Sequence, residues 1–115
     1  MAFTNLNYLH TITEGDTESM RELILLFIEQ VPEFIGNLKK LLTEERFLEL
    51  GKEAHKAKSS VMIMGMDDLG HDLKTLQLDT ISRIRQETYA QHVSRFETEC
   101  LAAVEELNLA MKNLK

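Results

Sequence analysis

From Tyr89 to Leu114, the apolar residues Tyr89, Val93, Phe96, Cys100, Val104, Leu107, Met111 and Leu114 recur at steps of three and four. Residues so spaced share one face of an α-helix, and a face held over about seven turns must be covered by neighbours. The same rhythm runs upstream. Met20, Leu23, Ile24, Phe27, Ile28, Val31, Phe34, Ile35, Leu38, Leu41 and Leu42 form one stripe. Phe47, Leu50, Ala54, Ala57, Val61 and Met64 form a second, and Leu69, Leu73 and Leu76 a shorter third. The pattern predicts an all-α chain. Its natural packing is an antiparallel four-helix bundle, with a short additional N-terminal helix from Phe3, Leu6, Tyr8, Leu9 and Ile12.

The local signals fit that reading. Asp16 or Thr17 can cap the first long helix. Pro32 lies inside its stripe, but the apolar phase continues across it, which predicts one kinked helix rather than two. Thr43-Glu44-Glu45 reads as a cap and acidic first turn for the next helix, and Gly65 as that helix's end. Asp67-Asp68 can then cap a successor that weakens near Asp79-Thr80. With 115 residues and no repeat, linker or low-complexity tract, residues 1–115 are expected to form a single domain.

Charge and composition exclude several function classes. Thirteen basic residues against 19 acidic ones leave a formal charge of −6, the wrong sign for nucleic acid or an anionic membrane face. No apolar run reaches the ~18 residues of a membrane span, and Met1 to Leu9 lack the basic flank and apolar core of a signal peptide. The single cysteine, Cys100, falls on the apolar stripe of the last helix and has no internal partner. It should be buried and inert, and its reduced state suits a cytoplasmic protein. There is no glycine-rich phosphate loop, zinc-type Cys/His spacing or nucleophile motif. A self-contained enzyme with its own cofactor is not expected, and nothing requires more than a monomer.

Four histidines remain: His10, His55, His71 and His92. At about 100° per residue, His55 lies roughly 130° from the centre of its helix's apolar stripe and should face solvent. Leu48 and Met62 fall within about 20° of it, Ser59 and Gly51 within about 40°, and Lys52 and Lys58 within about 60°. An exposed imidazole among small residues, two apolar residues and two lysines has the character of a protein-docking surface. An imidazole is also a nitrogen nucleophile near neutral pH. Phosphorylated, it needs a cation nearby, and Lys58, one turn along, can supply it. Lys56, about 100° round the helix, reads as an ordinary solvated lysine. The face has no metal site or nucleotide pocket. His10, His71 and His92 read as structural or solvent histidines.

The stretch Ala54-His55-Lys56-Ala57-Lys58-Ser59-Ser60-Val61-Met62-Ile63-Met64-Gly65, followed by Leu69, resembles the core motif of histidine phosphotransfer (HPt) domains. That motif is His-x-x-Lys, a small residue next, and Gly ten places after the His. The segments Gly15 to Ile24 and Phe27 to Glu33 resemble the preceding helix of the family. Ala57 stands where a larger aliphatic is usual, and Val61 replaces a more common small or aromatic residue; both lie on the buried side.

The resemblance implies a phosphoryl carrier, not an enzyme, relaying between receiver-domain aspartates in two-component phosphorelays. His55 would accept the phosphoryl group, with Lys58 as its charge partner. Leu48, Gly51, Lys52, Ser59 and Met62 would dock the receiver, and Gly65 would be structural. The receiver domain, of a response regulator or hybrid kinase, would supply catalysis and Mg²⁺, leaving this chain without a cofactor. The alternative is a non-catalytic adaptor that binds a partner through Leu48, His55 and Met62. A di-iron bundle is disfavoured, since Lys52, Asp68 and Tyr89 stand where a Glu-x-x-His motif needs glutamate.

Overall fold

Asp16 begins the first long helix: its carboxylate accepts hydrogen bonds from the Ser19 amide at 2.9 Å and the Ser19 hydroxyl at 2.6 Å. These bonds satisfy donors that a helix start leaves unpaired, and they hold the Asp16 carboxyl below its usual pKa. In the computed structural model, which describes residues 2–114, every regular element is helical. A short helix α1 (Asn7–Ile12) precedes α2 (Thr17–Thr43), α3 (Phe47–Ile63) and α4 (Asp67–Ser82). A 3₁₀ turn (Gln86–Thr88) then leads into α5 (Tyr89–Lys112). The expected four long helices and short N-terminal helix are present. At 1.5 Å per residue α2 is about 40 Å long, close to the 46 Å long axis of the molecule.

Helices α3 and α4 form the tightest pair, with α2 beside α3 and α5 beside both α2 and α4. The apolar stripes meet in the middle. Ile24, Phe27, Val31 and Leu38 of α2 join Leu50, Ala54, Ala57 and Val61 of α3, and all are buried. Leu69, Leu73 and Leu76 of α4 close the layer against Val93, Phe96 and Leu107 of α5. Cys100 is fully buried, and burial pushes its thiol up to about 12, with the Glu99 charge adding to the effect. Helix α2 runs through Pro32, which lies on its exposed side.

Three boundaries differ from the sequence expectation. Asp67 and Asp68 lie in the first turn of α4 rather than capping it; the cap position is Met66, which makes no side-chain capping bond. Thr43-Glu44-Glu45 does not start α3; Thr43 is the last residue of α2. Glu45 turns left-handed (φ 56°), so the Arg46 amide reaches back to the Leu41 carbonyl and the Glu45 amide to Leu42. That pattern satisfies carbonyls at a helix end, a place usually marked by glycine. Nor does α4 weaken at Asp79-Thr80, both of which are buried. The Thr80 hydroxyl donates to the Gln77 carbonyl at 2.7 Å, and Asp79 Oδ1 pairs with Arg85 at 2.9 Å. The buried Tyr89 hydroxyl donates to the carbonyls of Asp79 and Ile84, at 2.9 and 2.8 Å, covering the helix end.

Candidate functional site

Because Leu50, Ala54, Ala57 and Val61 turn inward, His55 turns outward, and it is exposed. It is not free to rotate unopposed. Its Nδ1 lies 3.2 Å from Oε1 of Gln77 on α4. A carboxamide oxygen can only accept, so the ring hydrogen resides on Nδ1 in this contact. In the neutral ring the lone pair is then left on Nε2, the nitrogen available to an incoming electrophile.

The pairing follows from the α3–α4 hairpin. Counted from Met66 in the connecting turn, His55 and Gln77 are equally far along the chain, as are Met62 and Gly70; Gly51 and Thr80 differ by one. Gly65 holds the turn with φ 75°, and the Met66 amide bonds back to the Val61 carbonyl at 3.0 Å. A Cβ on Gly65 would stand 2.1 Å from the Asn5 carbonyl oxygen, so this glycine also admits the N-terminal segment.

The lysines around His55 differ in their partners. Lys56 is exposed and pairs at 3.6 Å with Glu53, which also accepts a hydrogen bond from Asn37 at 2.9 Å. Lys52 and Lys58 have no carboxylate within 4.0 Å among the described residues. Lys58 is half-buried; a Cβ on Gly70 would lie 3.9 Å from its Cγ, so its stem lies beside the glycine. The face around the imidazole therefore offers positive charge not already neutralised by a neighbour. No cluster of metal-ligating side chains occurs among the described residues.

Three of the expected docking residues, Leu48, Lys52 and Ser59, are exposed. Gly51 is not. It is buried against Thr80, where an added Cβ would stand 2.0 Å from Oγ1. Its position on α3 is on the outward side, but α4 crosses over it there. Met62 is half-buried: its sulfur occupies the space a side chain at Gly70 would take, 2.3 Å from that Cβ position. The anticipated strip of Leu48, His55 and Met62 is thus partly covered. In its place the exposed apolar residues Leu78 and Ile81 of α4 flank the hairpin, with Ile81 and Leu48 lining one hollow.

Gln77, Gly70, Thr80, Leu78 and Ile81 all escaped the sequence reading. Pairing the chain about Met66 would have found Gln77 and Gly70, and Thr80 to within one residue. Of the other histidines, His92 is half-buried, with Nδ1 2.8 Å from Asp72, while His10 and His71 are exposed. Among the described residues, no helix is long and apolar enough to cross a membrane.

The family model of the Hpt domain matches residues 22–114 of this chain. No curated protein and no solved structure matches it.

Proposed function

The chain belongs to the Hpt domain family, whose members carry phosphoryl groups on histidine in phosphorelays, and we propose that His55 is the residue that carries it here. The observation behind this choice is the His55–Gln77 contact: it holds Nδ1–H in place and leaves Nε2 on an exposed, cationic face. The partner is a receiver domain bearing an aspartyl phosphate. Nε2 attacks phosphorus, the N–P bond forms, and the P–O bond to the aspartyl carboxyl breaks, releasing a carboxylate. The imidazole retains its Nδ1 hydrogen and becomes cationic, a charge that the Gln77 oxygen stabilises. Transfer to a second receiver reverses these steps.

Lys58 is the charge partner of the bound phosphoryl group, and Lys52 adds long-range attraction for an acidic partner surface. Leu48, Ser59 and the exposed side of Met62 form the contact area on α3. The receiver contributes the divalent cation and the remaining catalysis. In this reading the chain acts as a single monomeric domain in the cytoplasm, neither binding nucleic acid nor entering membranes.

The adaptor reading draws support from Leu48, Leu78 and Ile81, which are more than half exposed. It gives no role to the oriented imidazole or to the unneutralised lysines. The two separate on incubation with ³²P-labelled phospho-receiver domains. Phosphotransfer requires label on the wild type and none on His55→Gln of unchanged helical content. A receiver bound stably by both proteins without label would support the adaptor.

A further inference from the structure

Residues 2–21 lie outside the family match, yet the N-terminal segment is firmly built into the fold. The Phe3 and Thr4 amides and the Thr4 hydroxyl donate to the Glu106 carboxylate at 2.8, 3.0 and 2.9 Å. The Asn5 amide donates to the Met64 carbonyl at 3.0 Å, and Leu9 of α1 is wholly buried in the core. This strap and α1 lie against the C-terminal end of α3 and leave a groove of about 660 Å³ between them. Tyr8, Met62 and Ile63 supply apolar walls, Asn5 and Asn7 supply amides, and Asp67 supplies an acid. Ser59, one turn beyond His55, also lines it, so the groove opens directly onto the imidazole's face. Asp67 is exposed and has no cation within 4.0 Å among the described residues.

We propose that this groove is a second contact for the receiver domain that docks on His55, and that it selects among receivers. It takes an apolar side chain from the receiver, carried beside a basic residue that faces Asp67. The inference rests on the phosphotransfer reading. Its specific support is the continuity of the groove with the His55 face through Ser59 and its fixation from two sides. A preformed hollow with an apolar wall and one uncompensated charge favours a partner that supplies both complements. Tyr8, 55% exposed, is the natural anchor, because truncating an exposed aromatic at an interface removes affinity without opening the core.

The test compares wild type, Tyr8→Ala and Asp67→Asn with two phosphoryl donors. Phosphoramidate is small enough to report on His55 alone. A panel of phosphorylated receiver domains from the same genome reports on docking. The expected result is a KM raised about tenfold for at least one receiver, with kcat and phosphoramidate labelling at wild-type levels. Unchanged KM for every receiver in both variants overturns the groove and leaves His55 phosphotransfer standing. Loss of labelling by both donors alike also overturns it, since the segment would then only support the fold around His55. Failure of wild type to label with either donor overturns the phosphotransfer reading, and this inference with it.

Discussion

Gly51 and Thr80 meet with no space between them: a methyl group on Gly51 would sit 2.0 Å from the Thr80 hydroxyl oxygen and 3.2 Å from its Cβ. This contact sets how closely α3 approaches α4. The Thr80 hydroxyl is itself committed to the Gln77 carbonyl, and the Gln77 side chain holds His55. A glycine that reads as part of the docking surface instead fixes the height of the imidazole above it. Gly51→Ala is expected to destabilise the fold by about 1–3 kcal/mol, the usual range for overpacking. Thr80→Ala in the same chain removes the closest clash, so the double variant should lose less than the sum of the singles. Urea midpoints of the three variants check this, and additive losses would show that the two residues do not act as a pair.

Gln77 positions the ring, so its removal should be read at the ring. Gln77→Leu is expected to abolish the preference for hydrogen on Nδ1, visible in the ¹⁵N shifts of His55. Phosphoramidate labelling should slow about five- to tenfold, the value of one hydrogen bond of about 1 kcal/mol. An unchanged tautomer would mean that Gln77 does not orient the ring.

Lys58 and Lys56 separate by their surroundings. Lys56 already pairs with Glu53, whereas Lys58 lies beside Gly70 with no acid within 4.0 Å among the described residues. Lys58→Ala is therefore expected to lower phosphoryl acceptance, or the lifetime of the phosphorylated form, several-fold more than Lys56→Ala does. Equal effects in a side-by-side labelling time course would remove Lys58 from its role.

Glu106 gives the N-terminal segment a pH dependence. Burial works to raise its pKa, but the amides of Phe3 and Thr4 and the Thr4 hydroxyl outweigh it and hold the carboxyl below the ordinary glutamate range. A carboxyl depressed in the folded state contributes stability above its unfolded pKa, and that contribution fades as pH falls through the folded value. The strap should thus stay clamped at neutral pH and release only under acid. The amide shifts of Phe3 and Thr4 are expected to titrate together below the range of a free glutamate, and not at all in Glu106→Ala. Titration at or above that range would contradict the assignment.

The bundle was legible because burial repeats every three or four residues, a signal each helix carries alone. Helix ends were less so. The α2 and α4 ends turn left-handed at Glu45 and Arg83, whereas the α1 end does so at Glu14 and Gly15 and the α3 end at Gly65, and only the glycines advertise it. Each non-glycine turn costs about 1 kcal/mol, which the bonds around it offset, leaving no mark in the sequence. Within the candidate site, α3's own period placed His55, Leu48, Lys52 and Ser59 outward. It could not reveal that α4 covers Gly51, that Met62 fills the space above Gly70, or that Gln77 meets the imidazole. Those are relations between helices, and they depend on hairpin register rather than on the phase of one stripe.

The most direct test of the account is the position of the phosphoryl group on the ring. Wild-type protein phosphorylated by a receiver domain is examined by ³¹P and ¹H–¹⁵N NMR. With Nδ1–H held by Gln77, the account predicts an N–P bond at Nε2 of His55, stable in alkali and labile in acid. Phosphate on Nδ1, on another histidine, or on no nitrogen at all would contradict it.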